Sequence, residues 1–494
     1  MNNRLVVVGY GMVGHCLLTA LDASGVLRDW QVTVLAEEDV PAYDRIHLSR
    51  YLQETEPAGL LLGEPGFRDR AGIRTRLGDP VVAVDRRGRR VTTAAGHVVG
   101  YDVLVLATGS RSFVPPVPGA DATGCFAHRT VEDVRAIRAH CAGAGVGAVI
   151  GGGLLGLEAA NSLRGLGLTP HVVEFSPWLM PRQLDEHGGW TLRRHIEDLG
   201  IAVHTGTSLT GIDTDEHHRA TAVRLQAPDG APPTRVDVDA VVFAAGVRPR
   251  DELARSCGLA VGERGGIVVD ETCRTEDERV YAIGDCALTV DGRVHGLLAP
   301  GNAMARVVAD RLAGGTETFT GVDTATRLKL LDVDVACFGD APGVAPGGYE
   351  ASHLDTRAGV YRKLRVSAEG RLLGGLFVGD TSGYAALRPL AGSGRPLPAS
   401  VEELVVPGPL PGRSAAVGAL PDEAVVCHCH HVPAGTVRSA VRNGCADLAS
   451  VGCRTRAGTG CGSCTEAVAS LLGEGLTATT GIDATAIPVT GSPV

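Results

Sequence analysis

The chain has 494 residues, 44% hydrophobic and 21% charged with no long biased tract, which excludes a disordered or collagen-like polymer and requires more than one folded core. Aromatic residues are only 4% while glycine fills 67 positions, so aliphatic side chains must build the cores and glycine must shape many loops. A formal charge of -10 argues against a nucleic-acid groove, which needs a basic face.

The opening MNNRLVVVGYGMVGHCLL lacks the apolar core and small-residue cleavage site of a signal peptide, so the mature chain is expected to start near Met1. Apolar runs are broken by glycine and then by charge, and no membrane span is expected. Residues 5–8 read as a strand, GYGMVG as a tight turn, and the following residues through Ala23 as a helix; QVTVLAEE reads as a second strand. The plan returns at AVIGGGLLGLEAANSLRGL and HVVEF, so the chain carries two copies of one nucleotide-binding unit. Each copy is closed by an apolar strand ending in a small-residue turn, DVLVLATGSR and AVVFAAGVRPR. A further strand, RVYAIGDCA, precedes a helix expected to begin at Pro300. Residues 321–405 change to short alternating strands (KLLDVDVACFG, YRKLRVSAEGRLLGGLFVG), which predicts an α+β domain. Proline and glycine crowd residues 391–421, an extended linker whose core is set at 406–423. A cysteine-rich module follows at 424–475, and a Thr/Ala/Gly/Pro tail at 476–494 is expected to be flexible.

In so glycine-rich a chain, three glycines at fixed spacing arise by chance about once, so G-x-G-x-x-G alone says little. Context gives it meaning. Gly9, Gly11 and Gly14 follow a strand and open a helix, where they make the turn, admit a pyrophosphate and seat the helix on the strand. Glu37 or Glu38, at the end of the next strand, is placed to bond ribose hydroxyls; Glu37 is the first choice. Gly151, Gly153 and Gly156 repeat the arrangement, with Glu174 as the acid. A carboxylate there would repel a 2′-phosphate, so NADH is expected over NADPH, with Arg182 the nearby counterweight. Two such sites, one inserted in the other, imply an electron-transfer pair: FAD in residues 1–120 and 247–320, NAD in 121–246.

With these motifs in place, the chain resembles the two-dinucleotide-binding flavoproteins of the glutathione reductase type. The resemblance implies an α/β fold of two Rossmann-like domains, the NAD domain inserted in the FAD domain. It assigns the strand end Ala107, Thr108, Gly109 and the pair Gly284, Asp285 to the flavin site, Asp285 on the ribityl chain, and adds Arg45 and Gly246 to the cofactor-binding set. The dithiol of the disulfide reductases is missing: Cys16, Cys125, Cys141, Cys257, Cys273, Cys286 and Cys337 are isolated and read as small buried hydrophobes. PAYDRIHLSRYL looks like the flavin-side loop of ferredoxin-reductase and nitrite-reductase flavoproteins. A lysine of that branch corresponds to Arg50 and its glutamate partner to Glu158, which implies an Arg50–Glu158 pair holding the two rings in stacking distance.

The module VVCHCHHVPAGTVRSAVRNGCADLASVGCRTRAGTGCGSC offers Cys427 and Cys429, then Cys461 and Cys464. In a chain without an export signal, clustered thiols point to metal and to the cytoplasm. Four thiolates suit two irons or one zinc, and the company of flavin and NADH favours iron, because a flavin loads electrons in pairs and a cluster takes them singly. Arg454 or Arg456 is placed to balance the charge of a [2Fe–2S] cluster. The segment resembles the bacterioferritin-associated-ferredoxin-like [2Fe–2S] domain, a small helical fold, which implies that these four thiols are the ligands and that Cys445, Cys453, His428, His430 and His431 are not.

Taken in order, GYGMVGH, PAYDRIHLS, EFSPWLMPRQLD, KLLDVDVACFGD and the cysteine module resemble the front half of the NADH-dependent assimilatory nitrite reductase large subunits and the electron-transfer subunits of assimilatory nitrate reductases. No sirohaem segment follows, so the chain is expected not to reduce nitrite by itself. The resemblance implies transfer from NADH through FAD and the cluster to a molybdenum nitrate reductase catalytic subunit or another redox acceptor protein. It allows a homodimer and leaves no role for nucleic acid or membrane. The alternatives are an NADH:ferredoxin or rubredoxin-type reductase for another system and a redox-sensing iron–sulfur flavoprotein.

Overall fold

The computed structural model describes residues 3–52, 60–63, 66–69, 73–227, 230, 232–321, 325–330, 333–341, 348–391, 397, 399–408, 421–428, 430–459, 462 and 464–480. They form two compact units, Met1–Leu179 with Ile196–Thr324, and Met180–His195 with Ala325–Val494.

The first unit contains two five-stranded parallel sheets of identical plan. In one, the order from edge to edge is Val280–Ala282, Val103–Leu106, Asn3–Val8, Trp30–Leu35, Ile73–Arg76. In the other it is Cys125–Ala127, Ala240–Phe243, Val146–Ile150, Thr169–Val173, Ala202–His204. Central parallel strands are covered on both faces and so read as continuous aliphatic runs. Accordingly Leu5, Val6 and Val7 are 0–1% exposed, and Ala148 and Val149 are fully buried. The first sheet takes its edge strand from beyond the inserted half, so residues on either side of the insertion share one core.

The helices Met12–Ala23 and Leu298–Leu312 lie against each other on this core. They meet tightly at Gly301, where a Cβ would stand 2.5 Å from Val13 Cγ2. The second helix starts at Leu298, two residues before the proline expected to open it. Two three-stranded antiparallel meanders, Val81–Asp85 with Arg90–Thr93 and Val98–Gly100, and Ser208–Thr214 with Ala220–Gln226 and Thr234–Asp237, complete the unit. The chain crosses between the two sheets as a ribbon in which Ser110–Ser112 pairs antiparallel with Val247–Pro249.

The second unit holds a five-stranded antiparallel sheet ordered Thr326–Leu330, Val333–Gly339, Leu372–Val378, Val360–Val366, Tyr349–Asp355. The expected alternation fails in Val360–Val366, where Arg362, Lys363 and Arg365 are all buried. Each has partners that offset the loss of water. Arg362 stacks its guanidinium 4.3 Å from the Phe377 ring centre and donates to Ser382 Oγ at 3.2 Å. Lys363 meets Asp185 at 2.8 Å, and Arg365 meets Glu350 at 3.3 Å.

Within the proline-rich stretch a short helix, Val401–Val405, is capped by Ser400 and buries Val401, Leu404 and Val405, because three aliphatic side chains on five residues outweigh the prolines around them. Most of the remaining linker lies outside the described residues. The cysteine module has its own core beneath the helices Ala434–Arg442, Leu448–Thr455 and Thr465–Thr480. The last helix runs beyond residue 475, into the stretch expected to be tail; residues 481–494 lie outside the described residues.

Candidate functional site

Both glycine turns are made where side chains have no room. At Gly9, φ is +108°, and a Cβ would lie 2.1 Å from Ala107 O; at Gly14 a Cβ would lie 2.5 Å from Gly9 O. Strand end, turn and helix therefore touch through hydrogen alone. Gly11 is different: its Cβ would meet only Arg45 Nε, at 4.0 Å, so this position faces open space. No side chain caps the Met12–Ala23 helix, which leaves its first N–H groups for an anion.

A chain of polar contacts borders this cradle. Asp285 accepts from Ser110 Oγ at 2.7 Å and from Arg129 Nη2 at 3.0 Å. Arg129 also donates to Ser110 O at 3.1 Å, and its own carbonyl accepts from Arg45 at 2.8 Å. Arg45 pairs with Glu38, which also accepts from Tyr43 OH at 2.7 Å. Burial raises the Tyr43 phenol well above its ordinary range, so it stays a donor to that carboxylate. Glu37, chosen from sequence as the ribose acid, is the more exposed of the two and is paired with Arg250. Thr108 Oγ1 donates to Arg250 O at 2.6 Å, and Gly109 takes φ +69°.

Sequence reasoning did not single out Arg129, Ser110, Tyr43 or Arg250. A local signal existed for the first: Arg129 immediately precedes Thr130, whose capping box with Asp133 starts the Val131–His140 helix and fixes where the arginine leaves the backbone.

The second cradle repeats the first. Gly151 has φ +120° and would place a Cβ 2.4 Å from Ala244 O; Gly156 would place one 1.9 Å from Gly151 O. Gly153 has nothing within 4 Å and opens the Leu154–Gly165 helix without a side-chain cap. Gly152, not singled out from sequence, is equally constrained, since its Cβ would meet Leu179 Cδ2 at 2.6 Å and Glu174 Cβ at 2.8 Å. The Glu174 carboxylate accepts from Gly152 N and from Ser176 N, each at 2.7 Å, which fixes an acceptor beside the turn. Gly246 has φ +99° and accepts from Phe113 N at 2.9 Å.

Glu158 lies on the Leu154–Gly165 helix against the short helix Leu48–Tyr51. Ser49 Oγ stands 3.4 Å from its carboxylate, and Ser162 Oγ donates to Ser49 O at 2.8 Å. Burial pushes the Glu158 carboxyl up to about 7, with Ser49 and His47 opposing. The Arg50 side chain lies outside the described residues, so the expected pairing has no geometry on which to rest.

Of the four expected cluster ligands, Cys427 and Cys464 are buried in one core, although 37 positions separate their numbers. Cys464 Sγ accepts from Gly458 N at 3.1 Å, the kind of donor that stabilises a thiolate. Cys429 and Cys461 lie outside the described residues, and among the described residues no three metal-ligating side chains meet. Cys445 is buried and Cys453 exposed. Of the seven isolated cysteines earlier in the chain, Cys141, Cys273, Cys286 and Cys337 are buried while Cys16, Cys125 and Cys257 are half-buried. Cys286, beside Asp285, is held neutral by burial.

Two glycine turns whose uncapped helix ends suit anions, each with a neighbouring carboxylate, fit two dinucleotides, and buried thiols with a backbone donor fit an iron–sulfur cluster. This is an NAD(P)H-dependent flavoprotein oxidoreductase with an iron–sulfur module. The pyridine nucleotide-disulphide oxidoreductase profile matches residues 3–309, and the chain belongs to that family. A BFD-like [2Fe-2S] binding domain matches residues 425–474. FAD, a nicotinamide dinucleotide and a [2Fe–2S] cluster are its cofactors.

Among curated relatives, the nitrite reductase [NAD(P)H] large subunit of Klebsiella oxytoca is 46% identical over 95% of this chain and 48% of its own length. The assimilatory nitrate reductase electron transfer subunit of Bacillus subtilis is 32% identical over 95% of this chain and 59% of its own. The chain thus spans about half the length of the curated relatives it matches. Among solved structures, a ferredoxin reductase from Rhodopseudomonas palustris superposes with a TM-score of 0.68 at 27% identity, covering 79% of this chain and 95% of its own. No helix among the described residues is long and apolar enough to cross a membrane.

Proposed function

We propose that this chain carries electrons from NADH to the catalytic partner of an assimilatory nitrate or nitrite reductase, in the cytoplasm. The carrying observation is the presence on one chain of two glycine cradles and a buried-thiol module, with no C-x-x-C or C-x4-C pair in residues 1–420. Bound FAD takes two electrons from NADH and a [2Fe–2S] cluster takes one, so together they convert a pair into single electrons.

The residues have separable tasks. Gly9, Gly11, Gly14, Thr108 and Gly109 shape the FAD cradle; Asp285 and Arg129 border its far side, and Glu38 or Glu37 serves the ribose. Gly151, Gly153, Gly156 and Gly246 shape the NADH cradle, where Glu174 meets the ribose hydroxyls and disfavours a 2′-phosphate. Arg50 and Glu158 pair to hold the two rings in stacking distance. Hydride transfer between stacked rings needs no acid or base, so orientation is their contribution. Cys427, Cys429, Cys461 and Cys464 hold the cluster.

The test is anaerobic mixing of the fully loaded protein with NADH, with cluster reduction followed by visible absorbance and electron paramagnetic resonance. Reduction of the cluster after the flavin supports the reading. A reduced flavin beside a cluster that stays oxidised overturns it and favours a sensor. Turnover with a molybdenum nitrate reductase subunit, set against turnover with a ferredoxin or rubredoxin, then identifies the acceptor.

A further inference from the structure

The cysteine module differs in charge from the rest of the molecule. Residues 425–474 contain four arginines against three carboxylates, in a chain of formal charge -10. The carboxylate positions matter. Asp447 caps the start of the Leu448–Thr455 helix and Glu466 sits in the first turn of the Thr465–Thr480 helix. Arg442 ends the Ala434–Arg442 helix, while Arg454 and Arg456 lie at the other end of the helix that Asp447 caps.

Arg442 and Arg454 are exposed, and Arg442, Arg454 and Arg456 form no ion pair among the described residues. Arg438 is instead committed to Asp422, the carboxylate beside Gly435, at 2.6 Å. Between the two helices lies an open groove of about 380 Å³ lined by Gly435, Ser439, Asn443, Arg454 and Thr455 among others. Its polar lining is hydroxyl, amide and guanidinium beside Gly435 and Ala440, with Arg454 donating to Asn443 O at 3.2 Å and the Asp422 carboxylate at the Gly435 end held by Arg438. Such a set is built to receive carboxylates. The groove also lies close in sequence to the redox centre: Arg456 follows Thr455 directly, and Gly458 donates to Cys464 Sγ.

We propose that this groove, with Arg454 in its wall and Arg442 and Arg456 next in sequence to its lining residues Asn443 and Thr455, is the docking surface for an acidic face of the electron-accepting protein. The inference rests on the reading that electrons leave through the cluster. The rest of the chain is acidic and repels such a partner, so the local positive patch both attracts and orients it, placing the acceptor against the module instead of the flavin unit.

The experiment uses the loaded full-length protein and two probes with the same haem: native cytochrome c, which is basic, and succinylated cytochrome c, which is acidic. Arg442→Glu and Arg454→Glu are compared with wild type at low and high ionic strength, and NADH-driven reduction of uncharged menadione checks the flavin in Arg442→Glu. The surface predicts that each variant lowers kcat/KM for the succinylated probe by about tenfold at low salt, that high salt erases the difference, and that the basic probe is not slowed. If NADH reduces the cluster but the variants treat both probes as wild type does, the docking surface falls and the exit route stands. If NADH does not reduce the cluster at all, the exit route falls and takes the docking surface with it.

Discussion

Glu158 gives the sharpest quantitative test. Burial pushes its carboxyl up to about 7 in the folded protein, against an ordinary value of 4.5, a shift that the Ser49 hydroxyl and the nearby His47 offset only in part. A group whose folded value is raised contributes stability that is whole below the unfolded value and is lost as pH climbs through the folded one. At about 1.36 kcal/mol per pH unit, ionised Glu158 costs the folded protein about 3 kcal/mol at pH values above about 8. At about pH 5 the cost is down to about 1 kcal/mol, since the folded carboxyl is then mostly protonated. Glu158→Gln keeps the shape without the charge. Loaded with FAD but free of pyridine nucleotide, this variant should resist urea better than wild type by about 3 kcal/mol at about pH 8.5, and the margin should shrink by two-thirds at about pH 5. Flavin fluorescence, which rises on release, reports the unfolding of the unit concerned. A variant no more stable than wild type at the higher pH would refute the reasoning, and would mean that a cation already neutralises the carboxylate before nucleotide arrives.

Three further outcomes are expected. Gly156→Ala puts a methyl 1.9 Å from Gly151 O and must push the helix off its turn; NADH-driven flavin reduction should fall about 100-fold with FAD content unchanged, and wild-type kinetics would contradict the cradle assignment. Cys464→Ala should abolish the cluster's visible absorbance and cytochrome reduction while flavin reduction by NADH persists; a cluster that survives would remove this thiol from the ligand set. Glu174→Gln should narrow the preference for NADH over NADPH by about tenfold in kcat/KM, since one like-charge repulsion is relieved, and an unchanged ratio would mean that discrimination lies elsewhere.

The sequence made the cradles readable because their physics is local: a run of aliphatic residues, a turn only glycine can make and a helix start all lie within some fifteen positions of Gly9 and again of Gly151. Arg129 was not readable in the same way. Its contact with Asp285 joins residues 156 positions apart and exists only once Val280–Ala282 has been drawn beside Val103–Leu106. The choice between Glu37 and Glu38 was equally non-local, because Arg250 engages one and Arg45 with Tyr43 the other. Buried Arg362, Lys363 and Arg365 show the opposite failure: their residue types announce a solvated strand, and only the ring of Phe377 and the carboxylates of Asp185 and Glu350 make burial tolerable. The cysteine spacing was legible as metal chemistry, and the convergence of Cys427 and Cys464 in one core accords with it.

The ribbon joining Ser110–Ser112 to Val247–Pro249 has a consequence for how such a chain can be rebuilt. Entry to and exit from the nucleotide half lie side by side, Ser112 facing Val247 and Ser110 facing Pro249, and Gly109 and Arg250 clasp just beyond them at 3.0 Å. Antiparallel neighbours stand only about 5 Å apart, so a two-residue bridge could close the gap once everything between is cut away. The excised half becomes an exchangeable cassette only if its replacement restores the Arg129 contact with Asp285; on that condition a different coenzyme reader spliced in at this single doorway leaves every strand of the sheet around Asn3–Val8 in place.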